Sequence, residues 1–145
     1  MNFREFLTNN TVILDGGMGT LLQKSGIPAD ILPERVNILY PDTVRNIHRD
    51  YLLAGSNVIN TNTFGANILK LSENELEEVI SAAISIAREA IDSIDDKENR
   101  FVALDIGPLG KLLKPYGELE FEDAVEIFAK TVRIGDRLGA DLIFI

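Results

Sequence analysis

Four short runs constrain this chain more than any other feature. Residues 11–16 (TVILDG), 56–64 (SNVINTNTF), 100–107 (RFVALDIG) and 140–145 (ADLIFI) are β-branched or aliphatic, and apolar and polar positions hardly alternate within them. Strands of that kind are buried on both faces, which is the condition of a parallel sheet covered by crossover helices. The stretches between them carry helical periodicity. Val44, Ile47 and Tyr51 fall on one face after Asp42, with Gly55 as a left-handed stop. Leu76, Val79, Ile80, Ala83, Ala87, Ile91 and Ile94 form a longer stripe behind an expected capping box of Ser72 and Glu75. A third helix is expected from about Glu120, with Phe121, Val125, Phe128 and Val132 inward and Gly139 at its end. The order is βαβαβαβ.

That order leaves two architectures, a doubly wound open sheet or a piece of a (β/α)8 barrel. At 145 residues, length favours the open sheet, because a complete barrel takes about 200 to 250 residues. The strand ends favour the barrel. Asp15 ends the first run, Asn60 to Thr63 end the second, and Asp105 with Gly107 and Pro108 ends the third. One rim thus collects carboxylates, amides and hydroxyls from three strands, as barrel enzymes do. One domain, residues 1–145, is expected, since 46% hydrophobic content supplies one core and the length does not supply two.

Composition removes several functions. With 23 acidic against 14 basic residues and no basic cluster, a nucleic-acid partner is not expected. No apolar run approaches the ~20 residues that span a bilayer, and the first residues lack the form of a signal peptide, so no membrane partner and a cytoplasmic location are expected. No cysteine is present, which agrees with a reducing compartment and rules out a thiolate metal site built from this sequence alone.

The stretch "DGGMG" (15–19) carries the sharpest chemistry. Its glycines permit positive φ and bare backbone N–H groups close to a ligand, and the helix that follows adds partial positive charge for an anion such as a carboxylate. Asp15 suits an ammonium group. Together they describe a site for a zwitterionic amino acid, although a tight strand-to-helix turn would need the same glycines. The spacing is not the G-x-G-x-x-G of a dinucleotide fold. Asn60 and Asn62 suit either ligand contact or bonds to neighbouring backbone. The lone His48 sits inside a helical segment, away from the strand ends, and is expected to be structural or exposed. Glu73, Glu75, Glu77 and Glu78 read as a solvated helix start, and Phe3 and Phe6 as a plug beneath the sheet.

The blocks "LDGGMGTLLQ", "PERVN" (33–37), "PDTVRNIHRDYLLAGSNVINTNTFGAN" (41–67) and "DIGPLG" (105–110) resemble the amino-terminal half of the homocysteine S-methyltransferase domain. That family includes the first module of cobalamin-dependent methionine synthase and betaine–homocysteine methyltransferase. The resemblance covers nearly the whole sequence in order. It implies a (β/α)8 TIM-barrel fold of which about the first four strands are present, a half barrel. It further implies that Asp15 contacts the homocysteine amino group and that the Gly16 and Gly17 backbone receives its carboxylate. Asn62, Thr63 and Phe64 match the pocket block of the second strand, and Asp105, Gly107 and Pro108 the block of the third. In the family, zinc held by three cysteine thiolates activates the homocysteine sulfur. Those cysteines lie in the second half of the domain, and the glutamate that follows the fourth strand would come one residue after Ile145.

The missing thiolates matter because a thiol of pKa near 8.5 is a poor nucleophile until something holds it as thiolate. Carboxylates such as Asp105 are hard donors and replace soft thiolates poorly. The resemblance therefore implies no catalytic residue and no native zinc site in this sequence, partial homocysteine binding, and no activity alone. The methyl donor stays open among methyltetrahydrofolate by way of methylcobalamin, betaine and S-methylmethionine. A half barrel leaves two open sheet edges. Either a homodimer or a complementary carboxy-terminal half is expected to cover them, and the alternative function is a non-catalytic, self-associating half barrel that keeps an amino-acid-binding rim.

Overall fold

In the computed structural model, which describes residues 2–145, the chain begins with α1 (Phe3–Asn9) and α2 (Gly19–Lys24). A 3₁₀ turn (Pro33–Arg35), α3 (Val36–Leu39) and α4 (Pro41–Leu53) lead into β1 (Val58–Asn60). Then come α5 (Glu73–Asp92), β2 (Phe101–Asp105), α6 (Phe121–Arg137) and β3 (Leu142–Phe144). The three strands lie parallel in chain order, β1-β2-β3, with Ile59 opposite Val102 and Leu104 opposite Ile143.

Residues 11–16 were expected as a fourth strand, and here the structure differs. The run lies parallel beside β1 through a single bridge, Leu14 to Val58, and three backbone bonds, from Asn57 and Val58 to the Ile13 carbonyl and from Asp15 to Val58. Only one side of the segment is paired, and Ile13 is 53% exposed, so the ladder stops after one rung. The sheet proper has three strands.

Alternate strand residues take opposite faces. Ile59, Val102, Leu104 and Ile143 face α4, α5 and α6, packing with Leu52, Ile91, Ile80 and Ile134. Val58, Phe101 and Ala103 face the other way and are covered by α1. There Phe3 meets Phe101 edge to face and Phe6 meets it at a tilt, with ring centroids 5.3 and 5.5 Å apart, at the end of β2 remote from Asp105. All the crossover helices therefore lie on one face of a sheet whose order never reverses. That is the singly wound (β/α) arrangement; a doubly wound sheet carries helices on both faces and a switch point.

Local signals explain the helices, with two departures. Gly55 and Gly139 take positive φ (+107° and +85°) just after α4 and α6, where the chain must turn into the next strand. Ser72 caps α5 through its hydroxyl, which accepts the Glu75 N–H at 3.3 Å. The reciprocal half of the expected box is absent because the Glu75 carboxylate is drawn to the Arg35 guanidinium, at 2.5 and 3.3 Å. A complete box forms instead on α1, between Asn2 and Glu5. Glu73, Glu77 and Glu78 are exposed, as expected of a solvated helix start, and Glu73 also pairs with Lys130 and Glu77 with Arg137, tying α5 to α6.

The second departure concerns α6. Its buried stripe is Ala124, Ile127, Thr131 and Ile134; Phe128 and Val132 are partly covered, whereas Phe121 and Val125 are exposed, Phe121 at 64%. The apolar arc is wider than the surface offered by α5 and β2, and its outer flank lies bare.

Candidate functional site

At the carboxyl ends of the strands lies a cavity of about 300 Å³. Three segments build it: the turn 16–19, the residues Pro33 and Glu34, and the strand ends carrying Asn60 to Asn62, Phe64 and Asp105.

The pairing places Asn60 and Asp105 on the inner face of the sheet, above Val58, Phe101 and Ala103. Asp105 is held by its backbone. Its N–H donates to Thr61 Oγ1 (3.2 Å), and Thr63 Oγ1 donates to its carbonyl (2.8 Å) while lying 2.7 Å from Thr61 Oγ1. Its carboxylate takes no hydrogen bond from the protein among the described residues, and burial pushes its pKa up to about 6. The Asp15 carboxylate accepts two bonds from Asn60, from the backbone N–H (2.9 Å) and from Nδ2 (3.0 Å). Burial raises the Asp15 pKa, the Asn60 N–H opposes the rise, and the nearby Asp105 charge adds to it, to about 6. With Nδ2 turned to Asp15, Asn60 Oδ1 is left buried without a donor. Two partly desolvated carboxylates and an unsatisfied amide oxygen thus converge. Such a cluster has acceptors to spare and favours a cation with several N–H donors.

Donors stand opposite. The backbone N–H groups of Gly16, Gly17 and Met18 meet no acceptor among the described residues. None of Gly16, Gly17 and Gly19 takes a positive φ, so the expectation of left-handed backbone fails here. Gly16 is required by approach. A Cβ on Gly16 would lie 2.7 Å from the Tyr51 hydroxyl, while Gly17 and Gly19 have nothing within 4 Å and open onto the cavity. α2 has only six residues, so the positive character of this turn lies in its own N–H groups rather than in a helix dipole.

The other candidates divide. Asn62 lines the cavity, but Nδ2 is spent on the Pro33 carbonyl (2.6 Å) and Asn37 Oδ1 (3.2 Å). Thr63 is buried behind the wall in the network that holds Asp105. Phe64 lies on the wall, 58% exposed, and Gly107 supports it from behind through an N–H bond to the Phe64 carbonyl (2.9 Å). Pro108 is exposed and off the wall. Asp15 sits one layer back, behind Asn60, with each carboxylate oxygen engaged once.

Sequence reasoning missed Glu34, Asn37 and Tyr51. The Glu34 carboxylate, 5% exposed, accepts the Gly65 N–H at 2.6 Å, and Asn37 Nδ2 donates to the Asn62 carbonyl at 2.8 Å. Their spacing of three residues in "PERVN" puts both on one side of a helical turn, a signal that could have marked them as inward. Tyr51, read as a core position, donates its hydroxyl to the Gly17 carbonyl at 2.9 Å.

His48 lies on the buried stripe of α4 between Val44 and Leu52, and neither ring nitrogen has a partner. Burial lowers its pKa to about 4, so it is neutral. Zinc on three thiolates does not fit the residues present: the sequence has no cysteine, its only histidine is buried in a helix, and no three His, Cys, Asp or Glu side chains cluster among the described residues. No helix among the described residues is long and apolar enough to cross a membrane.

Comparison with known proteins gives the site a context. The family model described as homocysteine S-methyltransferase matches residues 12–145. Methionine synthase of Mycobacterium tuberculosis is 30% identical over 128 residues, covering 81% of this chain and 11% of that protein. Methionine synthase of Mycobacterium leprae is 28% identical over 152 residues, covering 97% of this chain and 12% of that protein. Among solved structures, the homocysteine methyltransferase MmuM from Escherichia coli in its metallated form superposes with a TM-score of 0.81 at 23% identity, covering 97% of this chain and 55% of that one. Its apo form gives 0.74 at 25% identity. The chain thus spans about a tenth of those curated relatives and about half of the solved chain.

Proposed function

The chain belongs to the homocysteine S-methyltransferase family, and on that premise we propose that it forms the homocysteine-binding rim of an enzyme that methylates the homocysteine thiol to methionine. One observation carries the reading: the unbonded Asp105 carboxylate, with Asn60 beside it and Asp15 behind, and the N–H groups of the Gly16–Met18 turn, unpaired among the described residues, border one cavity of about 300 Å³. A zwitterionic amino acid satisfies both. Its ammonium group lies between Asp105 and Asn60 with Asp15 behind them, its carboxylate lies on the N–H groups of the turn, and Phe64 flanks the side chain.

The same residues carry no step that activates the thiol. Holding sulfur as thiolate at neutral pH needs a strong cation or base, and the cavity offers carboxylates and amides. We therefore assign binding and orientation to this chain and the activating metal to residues outside it. The open edge of β3 and the half-paired segment 13–15 are the faces for a complementary carboxy-terminal half, which would continue the sheet from both edges and cover the bare flank of α6. A second copy of this chain is the other candidate, and in that case a self-associating rim without catalysis is the function. Light scattering of the isolated chain separates the two: a folded monomer excludes the second copy.

Calorimetric titration with homocysteine, with and without zinc, on the wild type and on Asp15→Ala tests the binding reading. Binding that is lost in Asp15→Ala and indifferent to zinc is expected. Absence of binding, or binding indifferent to Asp15, overturns it.

A further inference from the structure

We propose that Tyr51 is the positioning residue that aims the backbone N–H groups of the 16–18 turn at the ligand's carboxylate, an inference that rests on the amino-acid-binding reading above. Tyr51 stands on α4, and its hydroxyl reaches across 34 residues of sequence to donate to the Gly17 carbonyl at 2.9 Å. The ring also packs against Gly16 so closely that a Cβ there would sit 3.1 Å from two of its carbons and 2.7 Å from the oxygen. One side chain thus holds the turn at two adjacent peptides.

Peptide planarity converts that hold into an aim. In a trans peptide the carbonyl and the following N–H point in opposite directions. With the Gly17 carbonyl drawn toward α4, the Met18 N–H turns to the other side, where Gly17 and Met18 border the cavity. Two successive glycines have little preference of their own among backbone conformations. Without the bond the donors would scatter, and the ordering cost would fall on the binding step. Burial and the Asp15 charge both raise the phenol's pKa above its ordinary value, so the hydroxyl stays protonated and donating through the physiological range.

Tyr51→Phe keeps the ring against Gly16 and removes only the hydroxyl. Two ligands read the effect: homocysteine, and 3-aminopropane-1-thiol, which is homocysteine without its carboxylate. The expected result is a loss of about tenfold in affinity for homocysteine with no change for 3-aminopropane-1-thiol, a coupling between hydroxyl and carboxylate that a loss of general stability does not produce. Equal weakening of both ligands, or of neither, overturns the proposal. A ligand-free measurement decides it even if the isolated chain binds neither compound, a result that by itself would sink only the amino-acid reading. Amide order parameters at Gly16, Gly17 and Met18 are expected to fall from about 0.85 in the wild type to below about 0.6 in Tyr51→Phe, and a turn equally rigid in both proteins overturns the role assigned to Tyr51.

Discussion

Two turns leave the same end of the sheet, each with an aspartate followed within two residues by a glycine that lies against an aromatic ring. After residues 13–15, Gly16 lies under Tyr51; after β2, Gly107 lies under Phe64. In the first turn the aspartate side chain is bonded and the backbone N–H groups are free. In the second, the aspartate backbone is bonded on both sides by Thr61 and Thr63 and the carboxylate is free. One motif therefore presents donors and the other presents charge. The glycines serve in both as places where a ring can approach the chain, and the partner of each ring decides what the turn does.

The contrast is sharpest at the glycines. A Cβ on Gly107 would lie 2.5 Å from the Phe64 carbonyl oxygen, which is backbone, whereas on Gly16 it meets the tip of a side chain. Gly107→Ala is expected to cost about 2–3 kcal/mol in urea unfolding, the upper part of the range for overpacking. A loss within error would mean that the 64–65 segment yields more easily than its packing implies.

Charge separates the turns next. Asp105→Asn leaves the Thr61 and Thr63 bonds intact and removes only the free carboxylate. Homocysteine affinity is expected to fall about tenfold, or about 1.4 kcal/mol, with the fold retained. An unchanged affinity would assign ammonium binding to the first turn alone.

Gly16→Ala should then cost less stability than Gly107→Ala, about 1 kcal/mol, because Tyr51 can swing away. Its affinity loss for homocysteine should nevertheless match that of Tyr51→Phe. If the two glycine variants unfold alike, the distinction between backbone and side-chain neighbours fails.

Protons give the smallest test. Asp15 and Asp105, each raised from 3.8 to about 6, bind protons more tightly folded than unfolded. Their contribution to stability is fully present below about pH 4 and is lost as pH rises through about 6. His48, lowered from 6.5 to about 4, acts in the opposite sense: its contribution is present above 6.5 and is lost as pH falls through about 4. The ring is buried with both nitrogens unpartnered, so His48→Leu should stabilise by about 1 kcal/mol at neutral pH. In that background the slope between pH 4 and 6 should belong to the two aspartates, and either aspartate→Asn change should reduce it. Homocysteine affinity is expected to run the other way in titrations across this range, strengthening as pH rises through about 6 and both carboxylates ionise.

Much of this was legible in the sequence because it is local. Gly55 and Gly139 announce their helix ends by themselves, and the α5 stripe is a matter of spacing. The family resemblance led to residues 15–17 and 105 without any coordinates. What failed was whatever depended on a neighbour distant in the chain. Periodicity gave α6 an apolar arc, but only the width of the surface beneath it decided that Ile127 and Ile134 are buried and Phe121 is not. Residues 11–16 read as a strand, yet pairing on one side alone left the run a single bridge. The Ser72 box was half right because a guanidinium forty residues away claimed Glu75.

The site divides in the same way. Residue types were enough to place an acid beside bare glycines and to exclude a thiolate metal centre. Which atoms remained free was decided by tertiary structure: Asn60 spends its amide nitrogen on Asp15 and strands its oxygen, and Tyr51 takes the Gly17 carbonyl and leaves the adjacent N–H groups open. The sequence determines which hydrogen-bonding groups the chain possesses. Only the fold, by bringing residues 34 to 45 positions apart within 3 Å, determines which of them are already satisfied and which are left for a ligand.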